Sequence, residues 1–560
     1  MNLRHISIEN FRGVTNLGLE IGNTAVLIGE NNTGKTAVLD GLRFALRDVR
    51  SRRGCAFDEY DFHLSDTSAE PTGAPPINIR LIFREDEPNQ WPEQQVARLN
   101  RAGIAQSDAD GRISVIFKVS ACFNPDEQDY LQDWEFQNLE GNALSVHDSA
   151  ISILQSEVSY YYLAALRDAA KHFGAKGTFW RPFLKESQLS PEMRAEIEDR
   201  LSEVNDLIIS SHGSFDQVIE RLREVQHVIS MGNGEDIVSV EAVPARLFDT
   251  LSKAQVNLNS DTGAKIPVGR HGEGTQSLAV LTLFNAFLQV WSRGAPIVAL
   301  EEPESHLHPS AIRALWQLIE RIPGQKIIST HSGDLLSEVP FESIIRLYHQ
   351  SGIITARRMI DIPLDSTQRR QFNYHIRQAR GELLFAKCWI LGEGETEVTL
   401  IPEVARILDK YLERCGIRCI GYRHSNIGLF IKVADSMGIH WIALTDNDYQ
   451  GIKDQEEVRD SLNGRDENEV LFTVPEEDIE QYLCVSGFSD VYESFLTSQS
   501  LAKITVSKDN PQYPKQLTKA VHRHKIAAVN KIVGEIQNGR SIPPLFEQVI
   551  DAAIRRANSQ

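Results

Sequence analysis

Two sets of side chains in this sequence have the types and spacing for chemistry on phosphates. The first is Gly29-Glu30-Asn31-Asn32-Thr33-Gly34-Lys35-Thr36, a GxxxxGKT run. Its glycines let backbone N–H groups close around a polyphosphate at the positive end of a helix. Lys35 reaches the outer phosphates, and the Thr36 hydroxyl can bind Mg²⁺. The second set is carboxylate: Glu393 and Glu397 in Gly392-Glu393-Gly394-Glu395-Thr396-Glu397, then Asp446-Asn447-Asp448, then Glu476-Glu477-Asp478-Ile479-Glu480. Gathered acids repel one another and repel nucleic acid, unless divalent cations sit between them and turn the site into a phosphate receptor. Two such ions ~4 Å apart would clamp a phosphodiester, one activating water and the other stabilising the leaving oxygen.

Each set needs elements to hold it. The apolar run Val26-Leu27-Ile28 predicts a buried strand before the glycine loop, and Val38, Leu42, Leu46 and Val49 recur at helical spacing after it. A second buried strand, Ile297 to Leu300, delivers Glu301-Glu302-Pro303-Glu304, and a third, Ile327 to Thr330, ends in His331-Ser332. Open α/β sheets bind ligands at the carboxyl ends of their strands. Glu301 there can hold the hydration shell of Mg²⁺ while Glu302 polarises an attacking water. Gly269 to Ser277 opens an apolar helix from Leu278 to Trp291, a pattern that suits either a second phosphate contact or plain capping. In the last third, Phe385 to Leu391, Trp441 to Leu444 and Val470 to Phe472 are short apolar runs, each followed by acids. A domain boundary near residue 380 follows, giving segments 1–380 and 381–560. Asp454 to Glu469 has no strand behind it and reads as a solvated acidic loop.

Composition bounds the function. With 560 residues, 41% hydrophobic and 24% charged, the chain is globular and long enough for two or more domains. Its net charge, 58 − 77 = −19, excludes a generally basic coat, so nucleic-acid contact must be local. Residues 446–480 carry thirteen acidic and three basic side chains, whereas 481–560 carry six and ten, so polarity reverses beside the candidate metal site. Two basic clusters stand out: Arg43, Arg47, Arg50, Arg52 and Arg53, and Arg167, Lys171, Lys176, Arg181 and Lys185. Either can track phosphates, though a solvated helix face explains such spacing more often. The amino end has no signal-peptide pattern, and Ser277 to Trp291 falls short of the ~20 apolar residues a bilayer needs. Six scattered cysteines without a CxxC pair fit a reducing cytoplasm. Two helical stripes, Met193 to Ile208 and Phe215 to Ile229, suit paired helices.

The order of these pieces resembles the ABC-type ATPases of the SMC and RecF kind. The glycine loop takes the Walker A place, Ile297 to Glu302 Walker B, and His331 the switch histidine. Gly272-Glu273-Gly274-Thr275-Gln276 stands where the LSGGQ signature would, without the signature serine, and Glu301 replaces the usual aspartate. Both departures, with the Glu301 to Pro309 run Glu-Glu-Pro-Glu-Ser-His-Leu-His-Pro, are similar to overcoming-lysogenization-defect (OLD) nucleases. Glu393 followed by Asp446-x-Asp448 looks like a Toprim domain. The resemblance implies an α/β chain: an ABC-type ATPase with a helical dimerisation insertion around 190–240, then a Rossmann-like Toprim domain with a C-terminal helical region. It implies ATP contacts from Gly29, Asn31, Asn32, Thr33, Gly34, Lys35, Thr36 and Glu301, with Gly272, Gly274 and Gln276 completing the site of another subunit. It also implies two Mg²⁺ or Mn²⁺ ions held by Glu393, Glu397, Asp446, Asp448, Asp478 and Glu480. Glu302, His331 and Lys525 would be catalytic, with Lys531 the second choice of lysine and Glu477 a further acid after Asp478 and Glu480. The implied activity is an ATP-hydrolysing, metal-dependent DNA endonuclease working as a homodimer, in antiphage defence, with a helicase or other defence component as a further partner. A DNA-binding or bridging protein switched by ATP, with structural carboxylates only, is the alternative.

Overall fold

The computed structural model describes residues 1–49, 55–64, 69–164, 190–211, 257–259, 265–291, 294–350, 352–379, 381–423 and 425–559. Arg50, Arg52, Arg53, the basic cluster from Arg167 to Lys185 and the helical stripe from Phe215 to Ile229 lie outside them. The chain forms two compact units. One comprises Met1–Tyr162, Ile297–Glu302 and Gln325–Gln560, the other Leu163–Pro296 and Pro303–Gly324.

The first unit holds three sheets. Leu3–Phe11, Val14–Glu20, Ile77–Arg84, Ile113–Asn124 and Asp129–Gln137 pair antiparallel, joined at the edge by Gln106–Ser107. Their alternating apolar residues put Ile6, Ile8, Ile79, Leu81 and Phe117 into a core shared with the helix Lys35–Leu46. The second sheet runs Ile353–Arg358, Ile344–Gln350, Thr24–Ile28, Gln325–Ser329, Ala295–Glu301, Val158–Ala164. Its four middle strands are parallel. They read as continuous apolar runs because helices or sheets cover both faces, and Val26, Leu27, Ile28, Ile297 and Ile328 are fully buried. All four therefore point their carboxyl ends the same way. The third sheet, Ile417–Gly421, Cys388–Gly392, His440–Thr445 and Leu471–Thr473, is wholly parallel. The helices Glu395–Ile407, Lys525–Gln537 and Pro544–Ala557 close one hydrophobic core with it, so the C-terminal helices belong to this fold.

The second and third sheets meet in one junction inside this unit. Arg346, in register beside Ile28, is buried, and its guanidinium donates to the carbonyls of Met437 at 2.9 Å, Gly438 at 3.0 Å and Ala386 at 3.0 Å. Burial lowers its pKa to about 10, and three carbonyls satisfy the charge that water would otherwise solvate. Beside it, Lys387 ion-pairs with Glu30 of the glycine loop at 3.2 Å.

In the second unit, Glu273–Trp291 is a helix whose Val280, Leu281, Phe284, Phe287 and Leu288 are buried. Among the described residues no helix is long and apolar enough to cross a membrane. The helix Pro191–Ser211 is the described part of the expected insertion, with Leu207 and Met193 exposed on it. One expectation is corrected. Asp454 to Glu469 is no solvated loop: Tyr449–Asp460 is a helix with Asp454 only 1% exposed, and Glu467–Val470 leads into the strand Leu471–Thr473. Arg43 and Arg47 agree with the solvated helix face rather than a phosphate track: Arg43 pairs with Asp40 at 3.0 Å and Arg47 with Asp48 at 2.9 Å.

Candidate nucleotide and metal sites

The glycine loop follows the strand Thr24–Ile28 and opens the helix Lys35–Leu46. Gly29 sits at φ 149°, and a Cβ there would lie 2.2 Å from the Leu347 carbonyl oxygen, so only glycine lets the loop turn against the neighbouring strand. Lys35 is buried, and its ammonium donates to the carbonyls of Gly29 at 2.9 Å and Glu30 at 2.6 Å. Burial pushes its pKa down to about 8 against the attraction of Glu302 and Glu30. At the ends of the adjacent strands, Thr36 donates its hydroxyl to Glu301 at 2.7 Å, and His331 stands 3.8 Å from Glu302. Burial and nearby Lys35 lower the His331 pKa. Glu302 takes a positive φ of 43°, a strained geometry for a non-glycine residue and one that clusters at functional positions. A cavity of about 530 Å³ is lined by Asn31, Asn32, Gly34, Lys35, Thr36, Glu302 and His331, together with Arg12 and His349, which the sequence gave no local reason to include. That volume suits a nucleotide-sized ligand. Gly272, Gly274 and Gln276 belong to the second unit, where they start the helix Glu273–Trp291 and the Gln276 amide donates to the His271 carbonyl at 2.6 Å.

The carboxylates gather at the carboxyl ends of the third sheet. Glu393 follows Cys388–Gly392, and Asp446 follows the neighbouring parallel strand His440–Thr445. Asp446 Oδ1 and Glu393 Oε2 are buried with no donor group of another residue on them, and the two carboxyls lie close enough to share a proton. Burial first, then Glu397 and Glu393, push the Asp446 carboxyl up to about 9, while burial and Asp448 raise Glu393. Glu397 rises to about 7, through burial and Glu480 against the backbone N–H bonds it accepts. These are the signs of negative charge crowded in low dielectric.

Three of the acids also start helices. Glu397 accepts from the Gly394 N–H at 3.1 Å, Asp448 from Gly451 at 2.8 Å and Asp478 from Gln481 at 2.8 Å, with the Gln481 amide on its second oxygen at 2.8 Å. Glu480, almost fully buried, accepts from Thr396 at 2.9 Å and pairs with Lys525 at 3.0 Å. Lys531 instead donates to Ser494 at 2.9 Å, and Glu477 pairs with Lys515 at 2.5 Å, so both point to other partners. Asp454, accepting from Tyr422 at 2.9 Å and Gln450 at 2.9 Å, contributes to the raised pKa of Glu393.

Among the described residues, no three His, Cys, Asp or Glu side chains stand in an arrangement that itself holds a metal ion. The donor chemistry nonetheless fits hard divalent cations: oxygen ligands only, with buried oxygens on Glu393 and Asp446 and a second oxygen on Asp448 beyond the one used for its cap. Asp478 and Glu480 are more fully engaged. The approach is tight. A Cβ at Gly451 would lie 2.1 Å from the Asp446 carbonyl oxygen, so Gly451→Ala should shift the Asp446 backbone and cost about 1–3 kcal/mol, read as a lower urea midpoint.

The family profile described as protein of unknown function (DUF2813) matches residues 1–382, and the one described as overcoming lysogenization defect protein-like, TOPRIM domain, matches 384–448. "Uncharacterized protein YbjD" of Escherichia coli K12 is 27% identical over 93% of this chain and 92% of its own. "Endonuclease GajA" of Bacillus cereus VD045 is 22% identical over 85% and 82%. "OLD nuclease" of Thermus scotoductus is 24% identical over 82% and 84%. The chain belongs to the DUF2813 family, and its residues 384–448 match the overcoming lysogenization defect protein-like TOPRIM domain.

Proposed function

We propose that this enzyme is a divalent-metal-dependent DNA endonuclease whose cutting is controlled by ATP binding and hydrolysis, with residues 1–380 as the ATPase domain and 381–560 as the nuclease domain. The observation that carries the reading is the pair of buried carboxylate oxygens on Glu393 and Asp446, at the ends of adjacent parallel strands. Related chains named endonuclease and nuclease align along most of their length, which supports the same chemistry here. Glu393, Asp446, Asp448 and Glu397 would hold Mg²⁺ or Mn²⁺, with Asp478 and Glu480 beside them. Two such ions would supply Lewis acidity and a water of lowered pKa at the scissile phosphate. Lys525, oriented by Glu480, places positive charge where a phosphate gains negative charge.

In the nucleotide site, the glycine loop and Lys35 would hold the phosphates, Thr36 and Glu301 would serve the nucleotide's Mg²⁺, and Glu302 with His331 would act on the attacking water and the outer phosphate. Gly272, Gly274 and Gln276 would act on the nucleotide of a second copy, with the insertion around 190–240 joining the two. A role in antiphage defence, alone or beside a helicase or another defence component, extends the family resemblance by analogy only. The second reading, an ATP-switched DNA-binding or bridging protein, is favoured by one observation: Glu397, Asp448 and Asp478 all have structural capping duties.

The experiment that separates the two is cleavage of supercoiled plasmid with Mg²⁺, Mn²⁺ or EDTA, with and without ATP. Cutting with either cation and none in EDTA is expected; intact plasmid under every condition would leave the binding reading. The same assay tests the junction. Glu30 and Lys387 join the nucleotide loop to the strand that leads into Glu393, through a pair whose side chains are 47% and 33% exposed. Such a pair contributes at most about 1 kcal/mol, so Lys387→Met should shrink the effect of ATP on cutting by up to about fivefold. Nucleotide-free cutting should stay as in wild type.

A further inference from the structure

The strand Val158–Ala164 flanks Ala295–Glu301 at the edge of the second sheet. Residues two apart on a strand share a face, and here Tyr160 and Tyr162 use the same face for two different contacts. The Tyr160 hydroxyl donates to the Leu39 carbonyl of the helix after the glycine loop, at 2.7 Å. The Tyr162 hydroxyl donates to Glu301 Oε2 at 2.5 Å. Glu301 Oε1 accepts from Thr36 at 2.7 Å, so the carboxylate is gripped from both sides. Behind the tyrosine, the Arg43 guanidinium lies 5.7 Å from its ring centre and is itself tied to Asp40 at 3.0 Å. The ring thus sits in a fixed frame, and its hydroxyl has one carboxylate to serve.

We propose that Tyr162 is a positioning residue of the nucleotide site, holding the Glu301 carboxylate in the orientation that serves the cation bound with the nucleotide. The inference rests on the nucleotide reading given above. A strand-end glutamate has one more methylene than an aspartate and hence one more rotatable bond. A charge-assisted hydrogen bond on its far oxygen removes that freedom before the cation arrives. The hydroxyl donates to Glu301 and acts through it.

Tyr162→Phe removes the hydroxyl and keeps the ring. Nucleotide affinity measured by calorimetry in EDTA should match wild type, while the gain in affinity on adding Mg²⁺ should fall about tenfold. The Mg²⁺ concentration for half-maximal ATP hydrolysis should rise by a similar factor. Tyr160→Phe removes the neighbouring hydroxyl and is the control for general loosening: it should lower the melting temperature with the Mg²⁺ dependence unchanged. An unchanged Mg²⁺ gain in Tyr162→Phe, or an equal change in both variants, would overturn the assignment. No ATP binding by the wild type would instead remove the nucleotide reading on which it stands.

Discussion

Asp446→Asn lowers cation-dependent DNA cutting by ~100-fold or more and leaves ATP hydrolysis at the wild-type rate. The magnitude follows because disturbing even a group behind a metal ligand costs about 10–100-fold, and Asp446 is placed to be a ligand itself. Its Oδ1 is buried with no donor group of another residue on it, and the carboxylates that raise its pKa are Glu397, Glu393, Glu480 and Asp478. A cation would take the place of the proton that the raised pKa otherwise keeps on this carboxyl. The same crowding makes a stability prediction whose sign is fixed. Burial and the neighbouring acids raise the folded pKa to about 9 from an ordinary 3.8, so without metal the folded protein holds this proton more tightly than the unfolded chain does. That contribution is complete below the ordinary value and is lost as pH rises towards 9. EDTA-treated wild type should therefore melt at progressively lower temperature across this range, and Asp446→Asn, which carries no charge to repel, should melt higher than wild type at pH 8. Scanning calorimetry of both proteins in EDTA checks it. A variant that melts lower at pH 8 would mean that Asp446 is held by contacts a cation does not replace.

Lys35→Ala removes ATP hydrolysis, by about 100-fold or more, and leaves nucleotide-free cutting intact. Lys35 lies in a cavity large enough for a nucleotide and presently donates to two loop carbonyls. Burial holds its pKa at about 8. Phosphates beside it would draw the proton back, so the complex holds more protons than the free protein near that pH. ATP affinity must then fall as pH rises through about 8, and binding must take up protons. Titration in buffers of different ionisation enthalpy reads that uptake directly. Release of protons, or no exchange at all, would put the Lys35 ammonium away from the phosphates.

What could be read without a structure was local. The glycine loop, Ile297 to Glu302 and the strand before Glu393 announce themselves through a few adjacent residues, because a buried parallel strand and the turn after it are set by consecutive side chains. The pairing of Tyr162 with Glu301 spans 139 residues, and nothing nearby in the chain foretells it. The helix Tyr449–Asp460 was missed for a different reason. Its buried face is Gly451, Asp454, Gln455 and Val458, mostly polar, so the apolar period that marks a packed helix is absent. Asp454 is tolerated there because Tyr422 and Gln450 satisfy it. The basic cluster after the glycine loop was legible in part: Asp40 and Asp48 lie three and five residues from Arg43, close enough on a helix and its exit to neutralise it. Lys525 and Lys531 look alike in sequence, and only tertiary packing separates the lysine beside Glu480 from the one beside Ser494.

The binding of Mn²⁺ to EDTA-washed, nucleotide-free protein, counted by calorimetry and by paramagnetic resonance, bears most directly on whether acids from separate strands act together as a cation site. Two ions per chain, magnetically coupled as neighbours ~4 Å apart, are expected for wild type, and weak or single-ion binding for Asp446→Asn. Wild-type protein that binds no Mn²⁺, or that binds it equally well without the Asp446 carboxylate, would contradict the metal site and the nuclease chemistry built on it.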